Sequence, residues 1–504
     1  MPTNRLPVAV IGAGPIGLAA AAHLLARGER PTVLEAGTQI GANLADWRHV
    51  RLFSPWCLAL DPAAVRLLTA TGWTPPDPDE LPTGGDLLDR YLLPLATLPA
   101  IAGRIRVDHR VVGIARQGLD KVRSPGRDQL PFVLRIHTPH GEHDLAVRAV
   151  IDASGTWTQP NPLGANGLPA LGEHAARDRI VTGLPDILGA DRHRFTNRRV
   201  LVIGAGHSAA TSLLALAELR RQAPATRIVW VVRSATPRPL VGKGSAQADE
   251  LPARGQLATD LRALIDGGHL ELLTGFGTSQ LRPDPKGVTV SSVGAAGSKH
   301  TTVDLIVNAT GFRPDHAIAR ELRLALDPAL ESVAALAPLI DPNVHTCGTV
   351  PAHGASELAH PEPGYYIVGI KSYGRAPTFL LATGYEQVRS VAAALTGDQA
   401  AADTIAAEQP ATQFCRITRE LLASSHGRRP LLGHAQAQTI LSIQQAPPTS
   451  HDWGTVTCCP YTAAEGLGEV DPQSRILPPL RSPATYATCA QHRARALVVR
   501  DYLE

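Results

Sequence analysis

Apolar and polar positions along the first 35 residues alternate in blocks. Val8-Ala9-Val10-Ile11 is a continuous apolar run, Gly12-Ala13-Gly14-Pro15-Ile16-Gly17 interrupts it, and Leu18 to Ala26 carries a helical pattern. A second apolar run, Thr32-Val33-Leu34, ends on Glu35. This order of strand, glycine turn, helix and strand predicts a nucleotide-binding βαβ unit. The order returns at Val200-Leu201-Val202-Ile203, Gly204-Ala205-Gly206-His207-Ser208-Ala209, a helix through Leu213 to Leu219, and a strand Ile228 to Val232 that ends on Arg233. Two more buried-type strands, Ala149 to Gly155 and Asp304 to Gly311, stop at small residues and bracket the second motif. Gly364 to Gly369 adds a strand and Phe379 to Leu395 a helix. The predicted fold class is α/β with two Rossmann-like dinucleotide-binding domains, the second inserted into the first. Residues 1–165 and 301–396 are read as the first domain, 166–300 as the insert and 397–504 as a tail.

Each position in the first motif has a physical role. Gly12 permits the tight turn, Gly14 lets the backbone approach a pyrophosphate with Pro15 opening the helix, and Gly17 lets helix pack closely on strand. Glu35 stands where a carboxylate accepts from ribose hydroxyls. In the second motif Gly204, Gly206 and Ser208 repeat the pattern, with Ala209 in the third glycine place. Arg233 replaces the acid, and a guanidinium pairs with a 2′-phosphate; the competing reading is a surface strand cap. Gly155, Thr310 and Gly311 end strands where the chain can pass close to a ligand.

Composition adds exclusions. The chain has 504 residues, 44% hydrophobic, with a net charge of +3 and no basic run, so nucleic acid is not an expected partner. No apolar stretch reaches membrane-helix length, and the run from Val8 to Ala26 reads as fold because glycines break it. Six cysteines, none in a Cys-x-x-Cys arrangement, argue against a zinc ribbon, a redox dithiol and a disulfide scaffold, and are read as isolated thiols of a cytoplasmic protein.

The motifs together resemble the two-dinucleotide-binding flavoproteins, and within them the FAD- and NADPH-dependent class B (flavin-containing) monooxygenases. The resemblance covers about residues 6 to 396. It rests on Gly12, Gly14 and Gly17 with Glu35, on Ile40 to Trp47, which is similar to the family's Gly-Gly-x-Trp, on the second glycine motif, and on Asn308-Ala309-Thr310-Gly311-Phe312. Arg51 to Trp56, Gly206 to Ala210 and Lys371 to Pro377 look like a branch often encoded beside arsenic-resistance genes. The resemblance implies FAD on the first fold, with Trp47 beside it, and NADPH on the second. It also implies hydride delivery to flavin N5, capture of O2 as a C4a-peroxyflavin and oxygen transfer to a small soft nucleophile at nitrogen or sulfur.

One departure is specific. Arg179 to Asp186 lacks the histidine that the family usually carries before its second glycine motif, which disfavours a Baeyer–Villiger oxygenase. Two other readings therefore stand beside oxygen transfer. One is an NADPH-dependent reductase or oxidase passing electrons to O2, a quinone or a metalloid; the other is a non-catalytic redox-sensing nucleotide binder. The sequence nominates no catalytic side chain. Trp47, Phe53, Trp56, Trp73 and Tyr91 are candidates for covering the isoalloxazine, with ordinary core as the competing role. His345, Cys347, His353 and His360 do not match a closed zinc site and read as a surface or pocket-lining loop, so no metal is expected. His207 is placed near the nicotinamide phosphate, and Lys243 and Arg254 either assist a 2′-phosphate or belong to a solvated loop. From Gly397 the chain becomes poor in aliphatic residues and reads as a tail without a core or chemistry.

Overall fold

The computed structural model describes residues 6–235, 252–293, 297–345, 350–351, 353–404, 415–416 and 418–422. The chain divides into two compact units, Met1–Leu431 and Leu432–Glu504, and the second lies outside the described residues. Within the first unit there are two parallel sheets. One contains β1 (Val8–Ile11), β2 (Pro31–Leu34), β3 (Ile105–Arg106), β7 (Ala149–Asp152) and β16 (Tyr365–Ile367), in the order β16-β7-β1-β2-β3. The other contains β8 (Ile180–Thr182), β9 (Arg199–Ile203), β10 (Arg227–Val231), β11 (Glu271–Leu273) and β15 (Leu305–Asn308), in the order β11-β10-β9-β15-β8. Read from opposite ends, the orders correspond in four strands, β7-β1-β2-β3 and β15-β9-β10-β11; in the fifth place β16 is the last strand of its sheet in sequence and β8 is the first of its own.

Register fixes what stands at the strand ends. Ile11 pairs with Leu34 and with Asp152, so Gly12, Glu35 and Ala153 emerge together at one edge of the first sheet. Ile203 pairs with Val231 and Asn308, which puts Gly204, Val232 and Ala309 at the equivalent edge of the second. Ligands of open α/β sheets bind at such carboxyl-terminal edges. Short apolar runs of four or five residues, buried on both faces, are what a parallel sheet covered by helices requires.

The first-motif helix Pro15–Ala26 is buried at every position from Ile16 to Ala22, which explains its run of alanines between β1 and the helix Leu381–Leu395. A methyl group on Gly17 would lie 1.9 Å from the Gly12 carbonyl oxygen, so close helix-to-turn packing requires glycine there. Each sheet also carries a three-stranded antiparallel meander that the sequence pattern does not resolve: β4 (Arg110–Arg116), β5 (Phe132–Thr138) and β6 (Gly141–Val147) before β7, and β12 (Thr278–Asp284), β13 (Gly287–Ser292) and β14 (Lys299–Val303) before β15. The first meander is anchored by a buried knot. Arg116 Nε and Arg127 Nη2 donate to the two oxygens of Glu362 at 2.7 and 2.8 Å, and the Arg116 guanidinium lies 3.7 Å from the centre of the Phe132 ring.

Three expectations change. The strand Leu305–Asn308 belongs to the second sheet, between β9 and β8, although the sequence pattern places it in the returning part of the first domain. A four-residue apolar strand looks the same for either sheet, because its partners are set far away in sequence. The chain after Gly397 also keeps contact with the core at its start: the helix Gln399–Asp403 packs on Leu381–Leu395, the Ser390 hydroxyl donates to the Ala402 carbonyl at 2.7 Å, and Leu422 is buried. Backbone carbonyls accept these bonds, so no side-chain pattern announces them. Finally, Cys57 and Cys415 form a disulfide across 358 residues, which corrects the isolated-thiol reading for this pair. Cys458, Cys459 and Cys489 lie outside the described residues, as do Lys243, Cys347 and the side chain of Arg254. No described helix is long and apolar enough to cross a membrane.

Candidate functional site

A cavity of about 700 Å³ opens between the first glycine turn and the start of the helix His207–Gln222. Its wall includes Gly12, Gly14, Pro15, Glu35, Trp47 and Gly155 from the first lobe and Ser208 from the second. Gly17 lies beneath this wall, against the turn. Gly204, Gly206, Ala209, Arg233, Thr310 and Gly311 do not line it.

Both glycine turns are built alike. Gly12 has φ +98° and a Cβ there would lie 2.8 Å from the Ala153 carbonyl oxygen; Gly204 has φ +139° and its Cβ would lie 2.2 Å from the Ala309 oxygen. Gly14 and Gly206, in contrast, have nothing within 4 Å of the place a methyl group would take, so open space stands before each helix. Neither Pro15–Ala26 nor His207–Gln222 has a side-chain cap at its N-terminus. Uncapped amide groups and the positive end of the helix dipole then face open space, a fit for one pyrophosphate at each turn.

Glu35 is already engaged. Its Oε2 accepts the Ala13 N–H at 2.7 Å and its Oε1 accepts the Gly37 N–H at 2.8 Å. Each carboxylate oxygen has a further lone pair, so ribose hydroxyls can bind in addition. Arg233 is exposed and donates to the Ala165 carbonyl at 3.1 Å. Thr310 turns inward, its hydroxyl donating to the Asn161 carbonyl at 3.0 Å, and with Gly311 it belongs to the crossing of the two linkers.

The aromatic candidates separate into two groups. Trp47 and Phe53 line the cavity, whereas Trp56 and Tyr91 are fully buried core and Trp73 packs on the rim of that core. Competing core positions are equally apolar in sequence, so composition cannot sort them. His207 also lines the cavity, with its ring 5.0 Å from that of Phe53. Trp157, which sequence reasoning missed, stacks on Phe312 at 4.7 Å and donates through Nε1 to Asp46 at 2.9 Å. With Leu184 these two rings separate the main cavity from a neighbouring one of about 490 Å³.

Two charged residues, one in the inner wall and one behind it, were also missed as site residues. Lys371 follows β16 and Asp152 ends β7, and the Lys371 ammonium lies 2.8 Å from the Asp152 carboxylate. Burial pushes the Asp152 carboxyl up, but the Lys371 charge and the bonds from Lys371 and Ser154 hold it below the usual carboxylate value. A charged residue at the end of a wholly apolar strand was the available signal. His353 and His360, read from sequence as a surface or pocket-lining loop, are instead buried away from the cavity. His353 packs between the Pro351 carbonyl and Gln387, and His360 accepts the Ala325 N–H. Among the described residues no cluster could hold a metal ion.

Residues 7–100 match the family of FAD dependent oxidoreductases. The fold is that of the two-domain FAD/NAD(P)-binding flavoproteins. Solved structures that share it include the bacillithiol disulfide reductase of Staphylococcus aureus, at 15% identity over 78% of this chain and 99% of that one, with a TM-score of 0.56. The ornithine N-hydroxylase of Kutzneria sp. 744 aligns at 16% identity over 78% and 99%, TM-score 0.53, and the cadaverine monooxygenase of Erwinia amylovora at 14% over 80% and 96%, TM-score 0.54. No curated protein matches the sequence. The family match and the fold support an FAD-dependent oxidoreductase.

Proposed function

We propose that this chain binds FAD at the first glycine turn, takes reducing equivalents from NADPH bound at the second, and transfers oxygen to a small amine or sulfur nucleophile. The observation that carries the reading is the shared cavity: Gly12, Gly14 and Pro15 of one turn and His207, Ser208 and Thr211 of the other line the same space. Two nucleotides held by their diphosphates at these turns can therefore bring their reactive rings together. Bound FAD would supply the redox chemistry, accepting hydride and passing electrons on.

The chain's own residues bind, orient and exclude water. The N-terminal ends of Pro15–Ala26 and His207–Gln222, which carry no side-chain cap, hold the diphosphates, and Glu35 keeps the first turn in shape while offering lone pairs to ribose. Arg233 at the end of β10 favours a 2′-phosphate and hence NADPH over NADH. Trp47, Phe53, Trp157 and Phe312 close the wall with apolar rings, which keeps water from a reactive flavin. Substrate class at this level agrees with two of the similar structures, whose names record amine oxygenation.

A second reading, an NADPH-dependent reductase or oxidase without oxygen insertion, is favoured by the missing histidine in Arg179 to Asp186. That stretch includes β8, and its Leu184 lies in the cavity wall. No cysteine is among the described residues of the wall, which argues against a dithiol acceptor. The test is anaerobic addition of NADPH to the FAD-loaded protein, followed by labelled O2 and a panel of amines and sulfides. Label in the product supports oxygen transfer. Stoichiometric hydrogen peroxide without labelled product supports the second reading, and protein that binds no FAD sinks both.

A further inference from the structure

The pair formed by Lys371 and Asp152 is more than a structural contact of the first sheet. Their side chains are 1% and 0% exposed. The Asp152 carboxylate has four donors: Lys371 Nζ at 2.8 Å and Tyr365 OH at 2.9 Å on one oxygen, and the Ser154 hydroxyl at 2.6 Å and Ser154 N–H at 3.1 Å on the other. Lys371 Nζ also donates to the Ser154 hydroxyl at 3.0 Å, so two of its three N–H bonds are spent within this cluster. The cluster has a direction. Lys371 and Ser154 belong to the cavity wall, whereas Asp152 stands behind them with no contact with the cavity.

Burying an ion pair is expensive, and well-packed apolar residues of similar volume usually serve stability as well or better. A buried pair at the carboxyl-terminal ends of β7 and β16, positive end toward the cavity, is therefore suited to an electrostatic task. Two electrons and one proton leave a reduced flavin ring with one net negative charge. A fixed cation in a wall of low dielectric stabilises that form over the neutral oxidised one, and the anion behind it moderates the effect.

We propose that Lys371 and Asp152 act as an oriented positioning pair that sets the reduction potential of FAD in this cavity. The inference rests on reading the cavity as the FAD site. Lys371→Met leaves the Asp152 charge alone behind the wall and lowers the potential. Asp152→Asn leaves Lys371 uncompensated and raises it. The double variant Asp152→Asn/Lys371→Gln removes both ends and falls between Lys371→Met and wild type.

The experiment is an anaerobic equilibrium titration of the FAD-loaded full chain against a reference dye, with FAD content and thermal unfolding measured on the same samples. The expected order of potentials is Asp152→Asn, wild type, double variant, Lys371→Met. Each single variant should move the ratio of reduced to oxidised flavin at least about tenfold at fixed poise, about 30 mV for a two-electron couple. Retained FAD with unchanged potentials, or with shifts of the same sign in both single variants, overturns the proposal. If the single variants do not fold, the double variant decides: a potential below wild type supports the pair, and a wild-type potential overturns it. Wild-type protein that binds no FAD is a different failure, that of the cavity reading itself.

Discussion

Glu35 Oε2 accepts the Ala13 N–H at 2.7 Å and so ties the end of β2 to the first glycine turn. The same carboxylate takes the Gly37 N–H on its other oxygen. Replacing it with Ala leaves two turn amides without an acceptor, at a cost of about 1–3 kcal/mol for a buried donor left unpaired. Glu35→Ala should lower the melting temperature of the FAD-free protein as well as weaken FAD binding by about tenfold or more, whereas Glu35→Gln, which keeps a carbonyl acceptor, should lose less of both. Differential scanning fluorimetry with a flavin-fluorescence titration checks the pairing of the two effects.

The second turn allows a separation of functions. A methyl on Gly204 meets the Ala309 carbonyl and demands φ +139°, a strained conformation for any L residue. Gly204→Ala should push the turn away from β15 while the first lobe still holds FAD. Reduction by NADPH would then slow by about tenfold or more, with dithionite reduction unaffected. Anaerobic stopped-flow with the two reductants distinguishes this outcome from general misfolding.

Buried histidines set the acid limit of stability. Burial, with the neighbouring His316 charge second, pushes the His360 pKa down from 6.5 to about 4, and burial also lowers His353 and His316. The unfolded chain therefore binds more protons than the native one between about pH 6.5 and 4, so stability falls as pH falls through that window. For His360 the full loss is on the order of 3 kcal/mol. Asp152 and Glu362, both held below the ordinary carboxylate value, keep their contribution above about pH 4 and lose it only at lower pH. Urea titrations at several pH values on wild type and His360→Phe should show a flatter slope for the variant in the upper window only.

The Cys57 to Cys415 bond joins a buried helix of the first lobe to residues 415–422. Opening a closed loop of this length relaxes the unfolded chain and typically removes about 2–4 kcal/mol. Dithiothreitol should lower the melting temperature of wild type and leave Cys57→Ser unchanged, as followed by differential scanning fluorimetry.

The glycine turns, their strands and the acid or arginine at the next strand end were legible because each is a local pattern with one physical cause. Trp157, Lys371 and Asp152 were harder to read. Their roles depend on β7, β16 and the two linkers meeting, contacts such as Lys371 to Asp152 that span more than two hundred residues. The assignment of Leu305–Asn308 to the wrong sheet has the same origin, since Ile306 finds Leu201 and Ile180 through register and not through its neighbours in sequence. Of the cavity aromatics, Trp47 and Phe53 could not be told from Trp56 and Tyr91 because hydrophobicity is equal in a core and in a ligand wall.

The two linkers between the lobes run side by side: Pro160 bridges Phe312, and the Asn161 N–H donates to the Gly311 carbonyl at 2.9 Å. The excursion of the chain through the second sheet thus begins and ends at one point. Excising residues 162–310 and splicing Asn161 directly to Gly311 would close a gap already spanned by a single hydrogen bond, leaving the first lobe as an uninterrupted, minimal version of this fold.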